Sequence, residues 1–140
     1  MSRVWVLIGL LLAACGPSLA TAPSDAVAWR GAAVSGDRVH DAIPLLEAAW
    51  QQIPRDWNWA PRGWWITWSE APLPCGEATC GTAPCRTQGY TLCSGLTHPK
   101  ARRIDLSWAS RAPVSAARWE LGNARCVDVT GTSPDTGGAC

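Results

Sequence analysis

The distribution of seven cysteines constrains the fold of this 140-residue chain more than any other feature. Four of them lie within residues 75–93, at the spacing C-x4-C-x4-C-x7-C. The chain has no C-x-x-C pair, and neither His40 nor His98 lies at a zinc-finger spacing from a cysteine. The alternatives are a structural zinc site and a set of disulfides, and the compartment in which the chain folds decides between them. The seven positions are Cys15, Cys75, Cys80, Cys85, Cys93, Cys126 and Cys140.

The N-terminal segment predicts export. Arg3 supplies a positive charge, residues 4–12 form an apolar stretch, and Ala13 and Ala14 are the small residues that a signal peptidase requires. The apolar stretch is shorter than the roughly 20 residues that a membrane-spanning helix needs. The sequence therefore predicts a signal peptide over residues 1–14, and no second long apolar segment follows it.

The run Leu12-Ala13-Ala14-Cys15 resembles the lipobox of bacterial lipoproteins. The resemblance implies cleavage before Cys15, a diacylglyceryl group on its sulfur and an N-acyl chain on the new amino terminus. Two or more acyl chains give stable anchoring to a membrane. Gly16, and not Asp, follows the lipidated cysteine, which by the sorting rules of such lipoproteins favours the outer membrane over the inner one. The alternative is an ordinary secretory signal that happens to contain a cysteine.

Lipidation of Cys15 leaves six cysteines in an oxidising compartment, which predicts three disulfides. Six cysteines allow 15 pairings, and the sequence does not select among them. Removal of residues 1–14 leaves 126 residues with 11 basic and 11 acidic side chains, because Arg3 is the only charged residue removed. A neutral domain without a basic run has no electrostatic footprint for nucleic acid. No cofactor is expected apart from the lipid.

Hydrophobic periodicity predicts a small α+β domain over residues 29–140, held to the lipidated cysteine by a flexible tether over residues 15–28. Two amphipathic helices would pack on a short sheet, and disulfides would stabilise the whole. The predicted elements are a helix over 41–53, a strand over 64–69, an irregular cysteine-rich segment over 72–98, a strand over 103–108 and a helix over 113–126.

Four positions at the helices carry more specific expectations. Asp41 is the expected N-cap of the first helix, with Pro44 in its first turn, and Ser110 is the candidate cap of the second. Gly122 weakens the second helix by about 1 kcal/mol relative to Ala. A glycine at that position therefore indicates close packing against a neighbouring segment.

Nine of the ten tryptophans remain after the signal peptide is removed. In the strand over 64–69, Trp64, Ile66 and Trp68 share one face and Trp65 lies on the other. The favoured interpretation is a tryptophan-filled core behind one face of the sheet. The alternative is an aromatic platform for sugars or peptidoglycan, centred on Trp57, Trp59, Trp64, Trp65 and Trp68.

The strand over 103–107 and the helix after it resemble the strand and active-site helix of matrixin-like zincin metalloproteases. In that family the helix reads H-E-L-G-H-A, where two His bind Zn²⁺ and the Glu activates a metal-bound water. The corresponding residues here are Trp119-Glu120-Leu121-Gly122-Asn123-Ala124, with Cys126 in place of a later Gly and Val129 in place of the third His.

These departures remove all three imidazole ligands of the family, because Trp cannot bind zinc and Asn is a poor ligand. The resemblance therefore implies a zincin-like domain without metal, in which Glu120 is the only catalytic candidate. Trp119, Glu120 and Asn123 would line a residual cleft that binds a peptide or a glycan. Alternatively, Glu120 and Asn123 hydrogen-bond a neighbouring loop while Trp119 fills the vacated metal space.

The sequence thus predicts an envelope lipoprotein whose domain acts by binding, with an envelope protein or peptidoglycan as partner. Two alternatives remain. The first is a metallohydrolase that uses unconventional ligands, and the second is a tryptophan-rich module that binds glycan or peptidoglycan.

Overall fold

A mixed sheet with two helices on one face forms the domain in the computed structural model, which describes residues 25–74 and 92–140. This arrangement confirms the predicted α+β class. No helix within those two ranges combines the length and the apolar character that crossing a membrane requires. The elements in chain order are β1 (Val27–Trp29), β2 (Ala32–Gly36), α1 (Val39–Gln51), a 3-10 turn (Arg55–Trp57), β3 (Trp65–Ser69), β4 (Leu73–Pro74), β5 (Leu92–Cys93), β6 (Gly95–His98), β7 (Arg103–Ser107) and α2 (Pro113–Thr130).

The strands of the main sheet are ordered β1-β2-β3-β7-β6 in the described residues. The central strands β2, β3 and β7 are parallel, with Val34 opposite Ile66 and Ile66 opposite Ile104. Each edge strand is antiparallel to its neighbour. The β1–β2 hairpin was not predicted, and its first strand takes in Val27 and Ala28, which the sequence places in the tether.

The core lies between the sheet and the two helices. The helix side of the sheet buries Trp64, Ile66 and Trp68. This burial confirms the alternation predicted for the strand over 64–69. Burial of Trp64 and Trp68 also excludes them from the proposed aromatic platform. The other buried apolar residues on this side include Val34, Leu46, Ile104, Leu106, Ala117, Leu121 and Ala124.

The first helix begins at Val39, two residues before the predicted start. Its N-cap is Arg38, in a left-handed conformation and without a side-chain cap, so the expectation for Asp41 was wrong. Asp41 instead lies in the first turn and accepts a hydrogen bond from Arg38 Nε at 3.0 Å. Pro44 consequently lies in the second turn of α1 and not in the first.

The second helix runs one turn beyond its predicted end, from Pro113 at its first position to Thr130. Its N-cap is Ala112, and Ser110 lies upstream, where its hydroxyl accepts a hydrogen bond from the Ala112 N–H at 3.2 Å. The helix ends at Gly131, whose φ of 79° is the left-handed conformation that glycine adopts readily.

The cysteine-rich segment ends in regular structure where irregular chain was expected. β6 completes the edge of the main sheet, and β5 pairs with β4 in a small two-stranded sheet. Cys126 and Cys140 form a disulfide, a pairing that the sequence left open, and Cys93 is also disulfide-bonded. Cys15, Cys75, Cys80 and Cys85 lie outside the described residues.

Candidate functional site

The face of α2 that carries the zincin resemblance is closed. Glu120 and Asn123 are 6% and 2% exposed, respectively, whereas Trp119 is 46% exposed. The Glu120 Oε2 atom accepts hydrogen bonds from Thr97 Oγ1 at 2.6 Å and from Asn123 Nδ2 at 3.2 Å. The carboxyl therefore bridges the edge strand β6 and the next turn of its own helix.

Residues 131–140, called the C-terminal strap below, lie over this face. The Gly137 N–H donates to Asn123 Oδ1 at 2.9 Å. Asp135 Oδ1 accepts from Asn123 Nδ2 at 3.0 Å and from Trp119 Nε1 at 2.8 Å. The strap thus occupies the space in which the resemblance predicts a cleft, and the arrangement agrees with the alternative in which these residues hydrogen-bond a neighbouring loop. Trp119 lies at the surface and does not fill an interior space.

Covalent and packing contacts hold the strap in place. The Cys126–Cys140 disulfide joins its end to α2. Arg118 donates to the Gly137 carbonyl at 2.7 Å, and Arg125 donates to the Gly138 carbonyl at 3.3 Å. A Cβ at Gly122 would overlap the Gly137 backbone, which confirms the close packing that the sequence indicates at this glycine.

Burial raises the pKa of Glu120 to about 7, and the negative charge of Asp135 acts in the same direction. The hydrogen bonds from Thr97 and Asn123 oppose the rise and are outweighed. A carboxyl with such a pKa has the protonation behaviour of a general acid or base at neutral pH. Its burial under the strap nevertheless separates it from any substrate in solution.

The residues at this position do not fit a zinc ion. Trp119 has only an N–H to offer, and that group donates to Asp135. The Asn123 oxygen already accepts from the Gly137 N–H. Within residues 25–74 and 92–140 no three side chains of His, Cys, Asp or Glu are grouped so that they could hold a metal ion.

A groove of about 760 Å³ opens between the carboxyl end of α1 and the loop that follows it. Two tryptophans, Trp50 and Trp59, contribute to its wall with ring centroids 6.3 Å apart. The remaining lining residues are Gln51, Ile53, Pro54, Arg55, Asn58, Ala60 and Arg62. This lining contains two arginines and two side-chain amides and no carboxylate.

The loop that builds the groove is fixed to α2 by two side chains. The Trp57 ring lies beneath the guanidinium groups of Arg118 and Arg125, at 4.9 and 4.5 Å from its centroid. The Trp59 indole N–H donates to Asp128 Oδ2 at 2.8 Å. The loop between these anchors therefore has a defined position before any ligand binds.

The other face of the sheet carries a polar cluster around Asp105. Its carboxylate accepts from Thr67 Oγ1 at 2.7 Å and from Arg103 Nε at 2.9 Å, and its Oδ2 lies 2.8 Å from His98 Nε2. Trp65 lies beside this cluster, with the Arg103 guanidinium 5.9 Å from its ring centroid. The side chains of the cluster use their hydrogen-bonding groups on one another, so we assign the cluster a structural role.

The sequence singles out Trp59, as part of the predicted aromatic platform, but not Trp50, which lies beside it in the wall of the groove. Trp50 lies within the predicted helix over 41–53, and the predicted aromatic platform includes neither Trp50 nor the arginines Arg55 and Arg62. The available signal was the alternation of tryptophan and arginine over residues 55–64. No protein-family model, curated protein or solved structure matches this chain.

Proposed function

We propose that this chain is a lipoprotein of the bacterial cell envelope whose zincin-like domain acts by binding and not by hydrolysis. The observation that carries the proposal is the position of the C-terminal strap, which buries Glu120 and bonds directly to Asn123. A catalytic carboxylate must reach its substrate directly or through one water. The strap keeps substrate away from Glu120, which is the only catalytic carboxylate that the resemblance implies.

The residues on either side of Glu120 support the same conclusion. Where the family has two His ligands, this chain has Trp119 and Asn123, and both of these side chains hydrogen-bond to the strap. A Glu that activates water needs the metal that polarises that water. The site therefore lacks the chemistry of a zincin at the residues that define it.

The proposed place of action rests on the sequence LAAC and on the Gly that follows it. Acyl chains on Cys15 would anchor the protein to a membrane, and Gly16 favours the outer one. Because the anchor is a lipid, the domain needs no spanning helix of its own.

Lipidation is tested by producing the full chain and its Cys15→Ser variant in a Gram-negative host. We expect mass spectrometry of the wild-type N-terminal peptide to show a triacylated Cys15, and the protein to partition into detergent with the membranes. The variant should lose both properties. An unmodified Cys15 in a secreted wild-type protein would overturn the anchor.

Absence of hydrolysis is tested with the same purified protein. We expect no cleavage of casein by the wild type or by Glu120→Gln, with or without added Zn²⁺. Stoichiometric zinc together with cleavage that Glu120→Gln abolishes would establish the metallohydrolase alternative. Bound zinc without any cleavage would contradict only the argument that Trp119 and Asn123 cannot hold the metal.

A further inference from the structure

We propose that the groove formed by Trp50, Trp59, Arg55 and Arg62 binds a carboxylate-bearing glycan strand of the cell wall. This inference rests on the proposed function, because it names the ligand of a domain that acts by binding. None of the residues that line the groove belongs to α2 or to the strap, and nothing in the zincin resemblance assigns the groove a role.

Charge favours an anionic ligand. In the part of the chain that the structure describes, no side chain pairs with the guanidinium groups of Arg55 and Arg62, and both residues are exposed. The acidic side chains nearest to the tryptophans are already neutralised: Glu47 pairs with Arg30, and Asp128 pairs with Arg102. Asp56 follows Arg55 in the chain but does not line the groove. Two cations thus remain available for carboxylates.

The aromatic rings favour a ligand built of sugar rings. Trp50 and Trp59 lie with an interplanar angle of 32°, and both are half-buried, so parts of their surfaces remain accessible. Aromatic surface combined with a few fixed polar groups is typical of small-molecule sites. The Gln51 and Asn58 amides supply further donors and acceptors for hydroxyl and acetamido groups.

The groove is also preorganised, which lowers the entropic cost of binding. Asn58 adopts a left-handed conformation with φ of 44°, which Asn tolerates better than most residues. Pro61 is buried on one side of the loop, and the Arg62 stem lies against Gly31 in the β1–β2 turn. The two arginines are therefore carried by a loop whose backbone is fixed.

The length of the tether agrees with a cell-wall ligand. Residues 16–26 separate the lipidated Cys15 from β1, and 11 residues span at most about 40 Å when fully extended. A domain held so close to a membrane meets the wall polymer that faces that membrane. This reach, together with the two free cations, selects a wall glycan with carboxylates over a neutral polysaccharide.

The test compares two tetrasaccharides of the same backbone by calorimetry, using the lipid-free full domain with its disulfides formed. One is the denuded wall fragment with alternating N-acetylglucosamine and N-acetylmuramic acid, which carries two lactyl carboxylates. The other is fully N-acetylated chitotetraose, which carries none. We expect the wild type to bind the carboxylated fragment at least about tenfold more tightly, and the difference to shrink when salt rises from about 0.05 to 0.5 M.

Variants locate the binding. Arg55→Gln/Arg62→Gln keeps the side-chain stems and should reduce affinity for the carboxylated fragment by about tenfold, with little effect on chitotetraose. Arg111→Gln changes an exposed arginine ahead of α2 and should leave both affinities unchanged. Trp50→Phe keeps an aromatic contact with the core and should weaken the binding of both tetrasaccharides. Circular dichroism confirms that each variant is folded.

Two results would overturn the inference while leaving the proposed function intact. One is a wild type that binds neither tetrasaccharide or does not distinguish them. The other is a double arginine variant that binds the carboxylated fragment as the wild type does. Failure of the proposed function would appear elsewhere, as an unmodified Cys15 or as casein cleavage that depends on Glu120.

Discussion

Gly122 of α2 lies directly against the backbone of Gly137 in the strap, because Gly122 has no side chain to hold the two segments apart. The same contact brings the Gly137 N–H within 2.9 Å of Asn123 Oδ1. The position of the strap therefore depends on the absence of a single methyl group from the helix.

Replacing Gly122 with Ala should destabilise the protein by about 1–3 kcal/mol, because the added methyl overlaps the Gly137 carbonyl. Helix propensity alone would favour the Ala variant by about 1 kcal/mol, so the sign of the effect is diagnostic. Urea denaturation measures it. Ser115→Ala, at an exposed position of the same helix, is the control and should not reduce stability. A Gly122→Ala variant more stable than the wild type would refute the contact.

Buried Glu120 should make stability fall as the pH rises. Its pKa in the folded protein is about 7, above the ordinary value of 4.5 that applies when the chain is unfolded. Below pH 4.5 the carboxyl is protonated in both states, so it imposes no penalty. Between 4.5 and 7 the unfolded chain ionises first and stability declines, by about 3 kcal/mol in total.

Glu120→Gln isolates this contribution. The amide oxygen can still accept from Thr97 and Asn123, but the side chain has no proton to lose in this range. We expect the free energy of unfolding of the variant, measured in urea from pH 4 to 8, to exceed that of the wild type above pH 7 and to lack its decline. Glu70→Gln, at an exposed position, should reproduce the wild-type profile. Parallel profiles for wild type and Glu120→Gln would contradict the assignment.

Removal of the Cys126–Cys140 disulfide should release the strap. The bond closes a loop of 15 residues, for which chain entropy gives about 3 kcal/mol of stabilisation. Cys126→Ala/Cys140→Ala should therefore unfold at lower urea, and the Gly137 amide should exchange its hydrogen faster. An amide at β3, such as that of Ile66, serves as an internal reference. Unchanged protection of Gly137 would show that the hydrogen bonds alone hold the strap.

Asp128 should stabilise the groove by holding the indole of Trp59 in its wall. Its Oδ2 accepts from the indole N–H groups of Trp59 and Trp64, at 2.8 and 3.1 Å, and its Oδ1 pairs with Arg102 at 2.7 Å. Asp128→Asn places an amide N–H₂ against one of these donors, so we expect a loss of about 1–2 kcal/mol. The two indole N–H resonances in an NMR spectrum should shift.

Asp56→Asn is the matched control for Asp128→Asn, because Asp56 is exposed beside the same loop. It should change neither the stability nor the two indole resonances. Equal effects of the two substitutions would show that loss of negative charge near the arginines, and not loss of the indole acceptors, is responsible.

The parts of the fold that were predicted correctly are those in which local pattern and tertiary burial agree. Strands β3 and β7 alternate large apolar and polar residues, and the structure buries the apolar set. β1 and β2 were missed because alanines give little alternation, and β6 because it lies in a segment dominated by turn residues. Their pairing comes from neighbouring strands and not from their own sequence.

The candidate sites show the same division. Periodicity placed Trp119, Glu120 and Asn123 close together on α2, but it carried no information on what covers them. The strap has no hydrophobic repeat, and its position follows from Gly122, Asp135 and the disulfide acting together. The groove likewise joins Trp50 to Trp59 through a loop whose path is fixed by contacts with a distant helix.

The strand order has a consequence for how the sheet assembles. The β1–β2 and β6–β7 pairs are antiparallel hairpins with short connections, so each can form early from local chain. β3 has no such partner, since both of its neighbours are parallel and lie across the long connections 37–64 and 70–102. We expect the insertion of β3, which carries tryptophans, between the two hairpins to be the slow step of folding. The reason is that this step closes both long connections and so carries the largest loss of chain entropy.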